Sequence, residues 1–374
     1  MTHKRFLTTV LFILVGAAAL GCWQRQPILA WWRAHQLMQA SESSRSACVD
    51  AVVALDQAAL PRLISGLTTS DATACGNLEE ALVELAKRWK ALDPRALMLM
   101  ESLHSEFAKL SPEGQATGLR TATALLSTAA EGETLPARIT LSASCLLKAA
   151  ERIPTLRPPM LQLAGALLDR VPPGQWLDEA RNWATQGLAD ANSATRAAAL
   201  HLTMRTALRG ESSLLAQALP LLRDPEAIVR RAAVIALGSR EEGVSEDDLL
   251  PLLHDPDAEV QQLCELALRG RGLQDRQLEL ARLISDESPA ARLRVLQLLR
   301  AGSDVELGVW LRRLSQDPAP AVRAAAVRAA ASQPQIDLRE RLAEMTRQDA
   351  SPTVRELAAH YLTLRDAKVP SEPR

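Results

Sequence analysis

Aromatic side chains are scarce in this chain: seven Trp, three Phe and one Tyr make up 3% of its 374 residues. The hydrophobic 47% must therefore fill a core chiefly with Leu, Ala and Val. Long alternations of Val, Ile and Thr are missing as well, so nothing argues for a sheet, whereas Leu and Ala are strong helix formers. Neither sign of charge prevails, with 43 basic against 44 acidic side chains and a net charge of −1. Without a global field there is nothing to gather polyanions, and no nucleic-acid partner is expected.

Catalytic signatures are missing too. The chain has no Walker loop, no G-x-G-x-x-G after a strand, no G-x-S-x-G elbow and no H-E-x-x-H. Its five cysteines, Cys22, Cys48, Cys75, Cys145 and Cys264, form no C-x-x-C and have no close Cys/His spacing, which argues against a zinc site. In an oxidising compartment Cys48 and Cys75 have the option of pairing across the first hairpin. No residue is assigned as catalytic, cofactor-binding or metal-ligating, and no cofactor is expected.

What the sequence does have begins at its N-terminus. After His3, Lys4 and Arg5, an uncharged run of 18 residues extends from Phe6 to Trp23, FLTTVLFILVGAAALGCW, near the minimum that spans a bilayer as a helix. It is apolar all round, unlike the amphipathic face of a core helix. Three outcomes fit: an uncleaved anchor, a signal peptide cleaved after Ala17-Ala18-Ala19, or a lipoprotein signal ending at Cys22. Ala19-Leu20-Gly21-Cys22 resembles a bacterial lipobox, with Ala at a position where Leu is usual. The reading taken is a single-pass anchor, with Trp23, Trp31 and Trp32 at headgroup level and the body on the non-cytoplasmic side. The competing reading of these Trp residues is packing in the first helix of the body.

A fixed period governs the C-terminal half. LPLLRDPEAIVRRAAVIALGSR from Leu219, LPLLHDPDAEVQQLCELALRGR from Leu250, LARLISDESPAARLRVLQLLRA from Leu280 and LRRLSQDPAPAVRAAAVRAAAS from Leu311 align, with a fifth copy from Leu342. Asp224, Asp255, Asp286, Asp317 and Asp349 recur at separations of 31, 31, 31 and 32 residues, and Asp190 is an earlier member. Six residues after each stands Arg196, Arg230, Gln261, Arg292, Arg323 or Arg355. Each unit reads as two helices, the second starting near Asp-Pro, where Pro suits a first turn and Asp can cap free N–H groups. Val229, Ala232, Ala233, Ala236 and Leu237 give that second helix one apolar face, a pattern that returns at Val260, Leu263, Cys264, Ala267 and Leu268. A unit of this size buries its apolar face only against its neighbours, so a stack is expected.

This pattern resembles the HEAT-repeat family, with Pro in the first helix region at Pro61, Pro220 and Pro251 and an Asp and an Arg six apart. The resemblance implies an all-α, right-handed α-solenoid of helical hairpins preceded by one transmembrane or signal helix. It also implies a ladder in which Asp and Arg tie successive units together. The expected segments are 1–24 (signal or anchor), 25–47 (juxtamembrane helix or linker), 48–180 (degenerate hairpins), 181–367 (regular repeats) and 368–374 (tail). Within the degenerate region, helices are expected at 95–110, 114–130, 135–152 and 158–169, with a separate helical domain at 90–180 as the alternative.

The six histidines, His3, His35, His104, His201, His254 and His360, are never followed by Glu. The chain thereby lacks the His-Glu dipeptides through which one HEAT-like enzyme class, resembling deoxyhypusine hydroxylase, binds iron. His201 and His360 share a repeat column, and they are expected to lack a joint function. Seven Arg between Arg292 and Arg328 read as ladder members and solvated faces, and Trp310 as a core filler. The function expected from these features is a membrane-tethered scaffold that binds a protein or peptide. The alternatives are a HEAT-like enzyme or bilin-handling protein, and a structural envelope protein with no discrete ligand.

Overall fold

The computed structural model describes residues 26–367 apart from 131–132, 172–173, 175, 206–207, 209, 301–306 and 334–337. The expected anchor at 1–24 and the tail at 368–374 lie outside the described residues. Every regular element among those described is helical, so the fold class is all-α. No described helix is long and apolar enough to cross a membrane. The chain divides into two compact units between Leu221 and Leu222.

In the first unit, helices at Glu42–Val53, Ala72–Trp89, Pro112–Leu126, Arg157–Leu168 and Ser193–Thr203 pack each on the one before it. Leu60–Gly66, Pro94–Glu106, Ala137–Ala150 and Leu177–Leu188 form the other arms, each packing on the helix that follows it. The expected helices of the degenerate region are all present, within a few residues of their expected limits. That region packs on its neighbours at both ends, Ala72–Trp89 against Pro112–Leu126 and Arg157–Leu168 against Ser193–Thr203. Local chemistry sets the boundaries. Asp71 accepts hydrogen bonds from the Thr73 and Ala74 amides at 2.9 and 3.4 Å, and Lys87 and Arg88 occupy the last turn of the helix it starts. Ser111 caps Gly114 at 3.0 Å, with Pro112 in the first turn. A Cβ at Gly114 would lie 1.9 Å from the Leu67 carbonyl oxygen, so only glycine lets this helix start against the previous hairpin.

In the second unit the expected face Val229, Ala232, Ala233, Ala236 and Leu237 is buried, and in the next copy Val260, Cys264 and Leu268 are buried while Leu263 and Ala267 are half-buried. Each such Leu contributes about 1.5–3 kcal/mol on full burial. Trp310 packs partly buried against the core formed by Leu311, Leu314, Val322 and their neighbours. The first arm Glu246–Leu249 tightens into a 3-10 turn at Leu250–His254, where Pro251 cannot donate an N–H.

The repeat Asp does not cap the helix, contrary to the expectation from Asp-Pro. Asp224 accepts from the Glu226 amide at 2.9 Å, and the helix starts only at Ala227. Asp317 and Asp349 likewise accept from the amides two residues on, at 2.8 Å each. The remaining carboxylate capacity goes to an arginine of the preceding repeat. Arg230 grips Asp255 at 2.7 and 2.8 Å, Arg292 grips Asp317 at 2.6 and 3.0 Å, and Arg323 grips Asp349 at 2.9 and 2.8 Å. These are two-pronged contacts that only a planar guanidinium fork can make. The remaining amino group of each fork holds the carbonyl of its own turn Asp, at 2.8 Å for Arg230, 2.7 Å for Arg292 and 2.8 Å for Arg323.

Gln261 interrupts this ladder. Its amide keeps the bond to the Asp255 carbonyl at 2.6 Å, but it has no second prong to send onward. Asp286 takes the Ser288 amide of its own turn at 2.7 Å. Arg271, at the other end of the same repeat, ties it backward to the preceding one instead. Its guanidinium donates to the carbonyls of Gly238 (2.6 Å), Val244 (2.8 Å) and Leu237 (3.3 Å), and to that of Arg240, closing the end of Ala227–Leu237. The same device recurs in the first unit, where Arg170 donates to the Ala129 carbonyl at 2.9 Å and Arg88 to that of Val53 at 3.4 Å.

Cys48 and Cys75, offered by the sequence as a pair, are both free thiols. Cys75 is buried and donates to the Thr69 carbonyl at 3.5 Å, and burial raises its pKa. Cys264 is wholly buried, donates to the Leu249 carbonyl at 3.2 Å, and has its thiol pKa pushed up to about 12 by burial.

Two outcomes follow. Arg323→Met leaves the buried Asp349 carboxylate without its fork and costs about 3–5 kcal/mol, whereas Gln261→Ala loses one neutral hydrogen bond worth about 1 kcal/mol. Thermal melting of the two variants checks the order, and equal shifts would sink the ladder's role. The Arg323 contact also holds the Asp349 carboxyl below the usual carboxylate range. The pair's contribution is therefore complete above that range and is lost as the pH falls through the depressed Asp349 value, so the Arg323→Met deficit should shrink in acid. In the native chain at mildly alkaline pH, alkylation should reach the partly exposed Cys48 and Cys145 while Cys264 stays unmodified.

Candidate functional site

A groove of about 650 Å³ opens in the first unit, a size that suits a bound side chain or short segment. Three consecutively packed helices build it. Pro112–Leu126 supplies Thr123 and, one residue past its end, Ser127. Arg157–Leu168 supplies Leu161, Gln162, Gly165 and Ala166, which fall on one helical face, and then Asp169 and Arg170. Ser193–Thr203 supplies Ala198, His201 and Leu202, followed by Met204 and Arg205.

Small side chains make the floor. Ala166 and Ala198 are buried, and at Gly165 an added Cβ would come within 2.9 Å of the Arg205 Nε. The bare glycine lets the Arg205 side chain lie across the helix. Arg205 donates to Asp169 at 2.8 Å, and Arg170 reaches back to the Ala129 carbonyl. The Nε atoms of both Arg170 and Arg205 are buried without a hydrogen-bond partner among the described residues, a condition that favours a ligand or water that can accept.

His201 stands exposed at the mouth yet is crowded by the groove walls. That crowding first, and the Arg205 guanidinium second, lower its pKa from the ordinary histidine value. Thr123 and Ser127 donate their hydroxyls to the Leu119 and Thr123 carbonyls at 2.9 Å each, so what they offer the groove is acceptor lone pairs. Met204 adds a half-exposed, adaptable apolar wall. The site thus has an apolar floor, mixed walls and a charged rim.

A much smaller cavity of about 30 Å³ lies beside it, bounded by Glu151, Arg157, Trp183, Gln186 and Thr195 among others. Its size fits a water and no larger ligand. Trp183 donates to Glu151 at 2.9 Å and stacks on Trp176, which holds a left-handed φ of 65° under the Lys148 ammonium.

The histidines singled out by their shared column have separate surroundings. His201 lines the groove, and His360 stands exposed with its ring edge-on to Tyr361 at 5.3 Å. Of the Arg run, Arg292 and Arg323 are in the ladder, Arg313 pairs with Asp247, and Arg294, Arg312 and Arg328 are exposed. Among the described residues, no three His, Cys, Asp or Glu side chains gather as a metal would require. The groove itself escaped the repeat pattern, because two of its three helices lie where the period fades. The only signals were the small pair Gly165-Ala166 and a histidine in a mixed column otherwise held by Ile235, Leu266, Gln297, Arg328 and His360.

Nuclear magnetic resonance titration of the histidine ring protons should place the midpoint of His201 below the ordinary value. Arg205→Met should move it upward, because the variant removes the guanidinium and frees the Asp169 carboxylate. No movement would mean that Arg205 does not shape the groove. No protein-family model matches this chain, and no curated protein matches it either.

Proposed function

We propose that this chain is a membrane-tethered scaffold: a right-handed solenoid of HEAT-type hairpins, anchored by its N-terminal segment, that holds a protein or peptide partner on the non-cytoplasmic side. The observation that carries the reading is the groove across Pro112–Leu126, Arg157–Leu168 and Ser193–Thr203. Its small-residue floor accepts a side chain of moderate size. Its Gln162 amide and the hydroxyl acceptors of Thr123 and Ser127 suit the alternating carbonyl and N–H groups of an extended segment. The repeat reading is supported by the fork contacts of Arg230, Arg292 and Arg323, which join each repeat to the next as that family's ladder would. Stacked repeats of this kind offer an extended surface for a partner chain. The tether is read from the apolar run at 6–23.

The test is a photo-crosslinking residue placed at Gln162 in the full chain, expressed in membranes of its own cell, with Leu141 on the other arm of a hairpin as the control position. A discrete adduct at 162, absent at 141 and reduced about tenfold by Met204→Glu, is the expected result. Equal labelling at both positions, or labelling indifferent to Met204→Glu, would sink the groove as the binding site.

A further inference from the structure

We infer that the outward face of the helix at 26–38 is a second membrane contact, seated in the headgroup zone of the bilayer that the apolar run at 6–23 enters. The inference rests on the tether reading above and adds to it how the body meets the bilayer.

The helix is apolar on two opposite faces. Ala30, Ala34 and Leu37, spaced i, i+4 and i+7, are buried toward the body at 1%, 4% and 0% exposure. On the far side Ile28, Trp31 and Trp32 are 61%, 53% and 44% exposed, the two Trp being the most exposed indoles described. The competing reading of these Trp residues as core packing is thereby set aside, because Ala and Leu do that packing. An ordinary surface helix puts charge on its outer face. This one offers two indoles, with His35 stacked on Trp31 at 5.6 Å and the Arg33 guanidinium 5.0 Å from the Trp32 ring. Indole with a neighbouring cation is the chemistry of the headgroup boundary, where the ring is half-solvated and the cation meets phosphate.

Charge and reach agree. Between the end of the apolar run and Glu42 there is no Asp or Glu, while Arg25 and Arg33 lie in that stretch. From Trp23, the end of the apolar run, to Gln26 are three peptide steps, which span at most about 11 Å. A helix tethered so close to the surface has little to meet on its open face except lipid. Nor is it free to roll away. The buried Asn77 side chain donates to the Leu37 and Ala40 carbonyls at 2.9 and 3.1 Å, clamping the helix end to Ala72–Trp89. Asn77 thus fixes which way Trp31 and Trp32 point, and through them which face of the first unit lies toward the membrane.

The experiment reconstitutes the full chain into phosphatidylcholine and phosphatidylglycerol vesicles, with or without lipid brominated near the headgroup end of its acyl chains. Trp emission is compared for the wild type, Trp31→Phe/Trp32→Phe and Trp23→Phe. Both helix positions are exposed, so the double variant keeps its helicity, which circular dichroism verifies. The expected result is that the emission lost in the double variant is blue-shifted and quenched about two-fold or more by bromolipid. Water-like, unquenched emission from Trp31 and Trp32, with the Trp23 contribution quenched, would leave the tether standing and overturn the inference. If neither contribution is quenched, the apolar run does not insert and both readings fall.

Discussion

The organisation of the second unit depends on one interaction: a guanidinium fork that joins two turns at once. An isolated repeat would leave the charge of its Asp carboxylate without the arginine of the preceding repeat that pairs it as it is buried. Arg230, Arg292 and Arg323 supply that pairing, giving one amino group to the carbonyl of their own turn and the other two nitrogens to the carboxylate of the next. Burying a charge is costly unless it is paired and hydrogen-bonded, so each fork makes the next turn acceptable in the interior. The apolar columns can then meet at a fixed register. Where Gln261 stands, the carbonyl bond survives and the onward link does not, and the helices at Ala258–Gly270 and Pro289–Arg300 do not pack closely as the other successive second helices of this unit do.

The first unit solves the same problem with less regular means. Asp190 is held by Arg157 at 2.5 Å, a residue in no repeat column, while Arg196 donates to the Asp190 and Ala191 carbonyls of its own turn at 2.9 Å each. Glu79 and Arg120 join Ala72–Trp89 to Pro112–Leu126 with contacts of 2.6–2.8 Å. Asn77, six residues after the capping Asp71 as each ladder Arg is after its turn Asp, reaches backward to the Leu37 and Ala40 carbonyls. Irregular links free the faces of these helices from the demands of the period. It is here that glycine and alanine could open a groove with a charged rim.

Much of this was legible beforehand. Helix limits followed from Ser111-Pro112, Asp71 and the Pro breaks, because caps and prolines act locally. The buried columns of the second unit followed from a period that repeats the same surroundings every 31 residues. The family resemblance implied the column Asp's place in a ladder, and the Arg230, Arg292 and Arg323 contacts show that link, but its capping role read from Asp-Pro did not hold. Asp before Pro suits a helix cap as well as a turn, and only the arrival of an arginine from 25 or 26 residues upstream settles which it is. The Cys48–Cys75 pairing failed for a similar reason, since spacing along the chain says nothing of which way two thiols point.

By itself the sequence determined that the chain is helical, where its second half repeats, and that no familiar catalytic motif is present, because composition, period and capping are properties of neighbouring residues. Only the tertiary structure decided that Trp31 and Trp32 face outward, that Arg205 lies over Gly165, and that Arg271 closes a helix more than thirty residues behind it. Those outcomes depend on which helices come side by side, and burial, free donors and exposed rings exist only once they do.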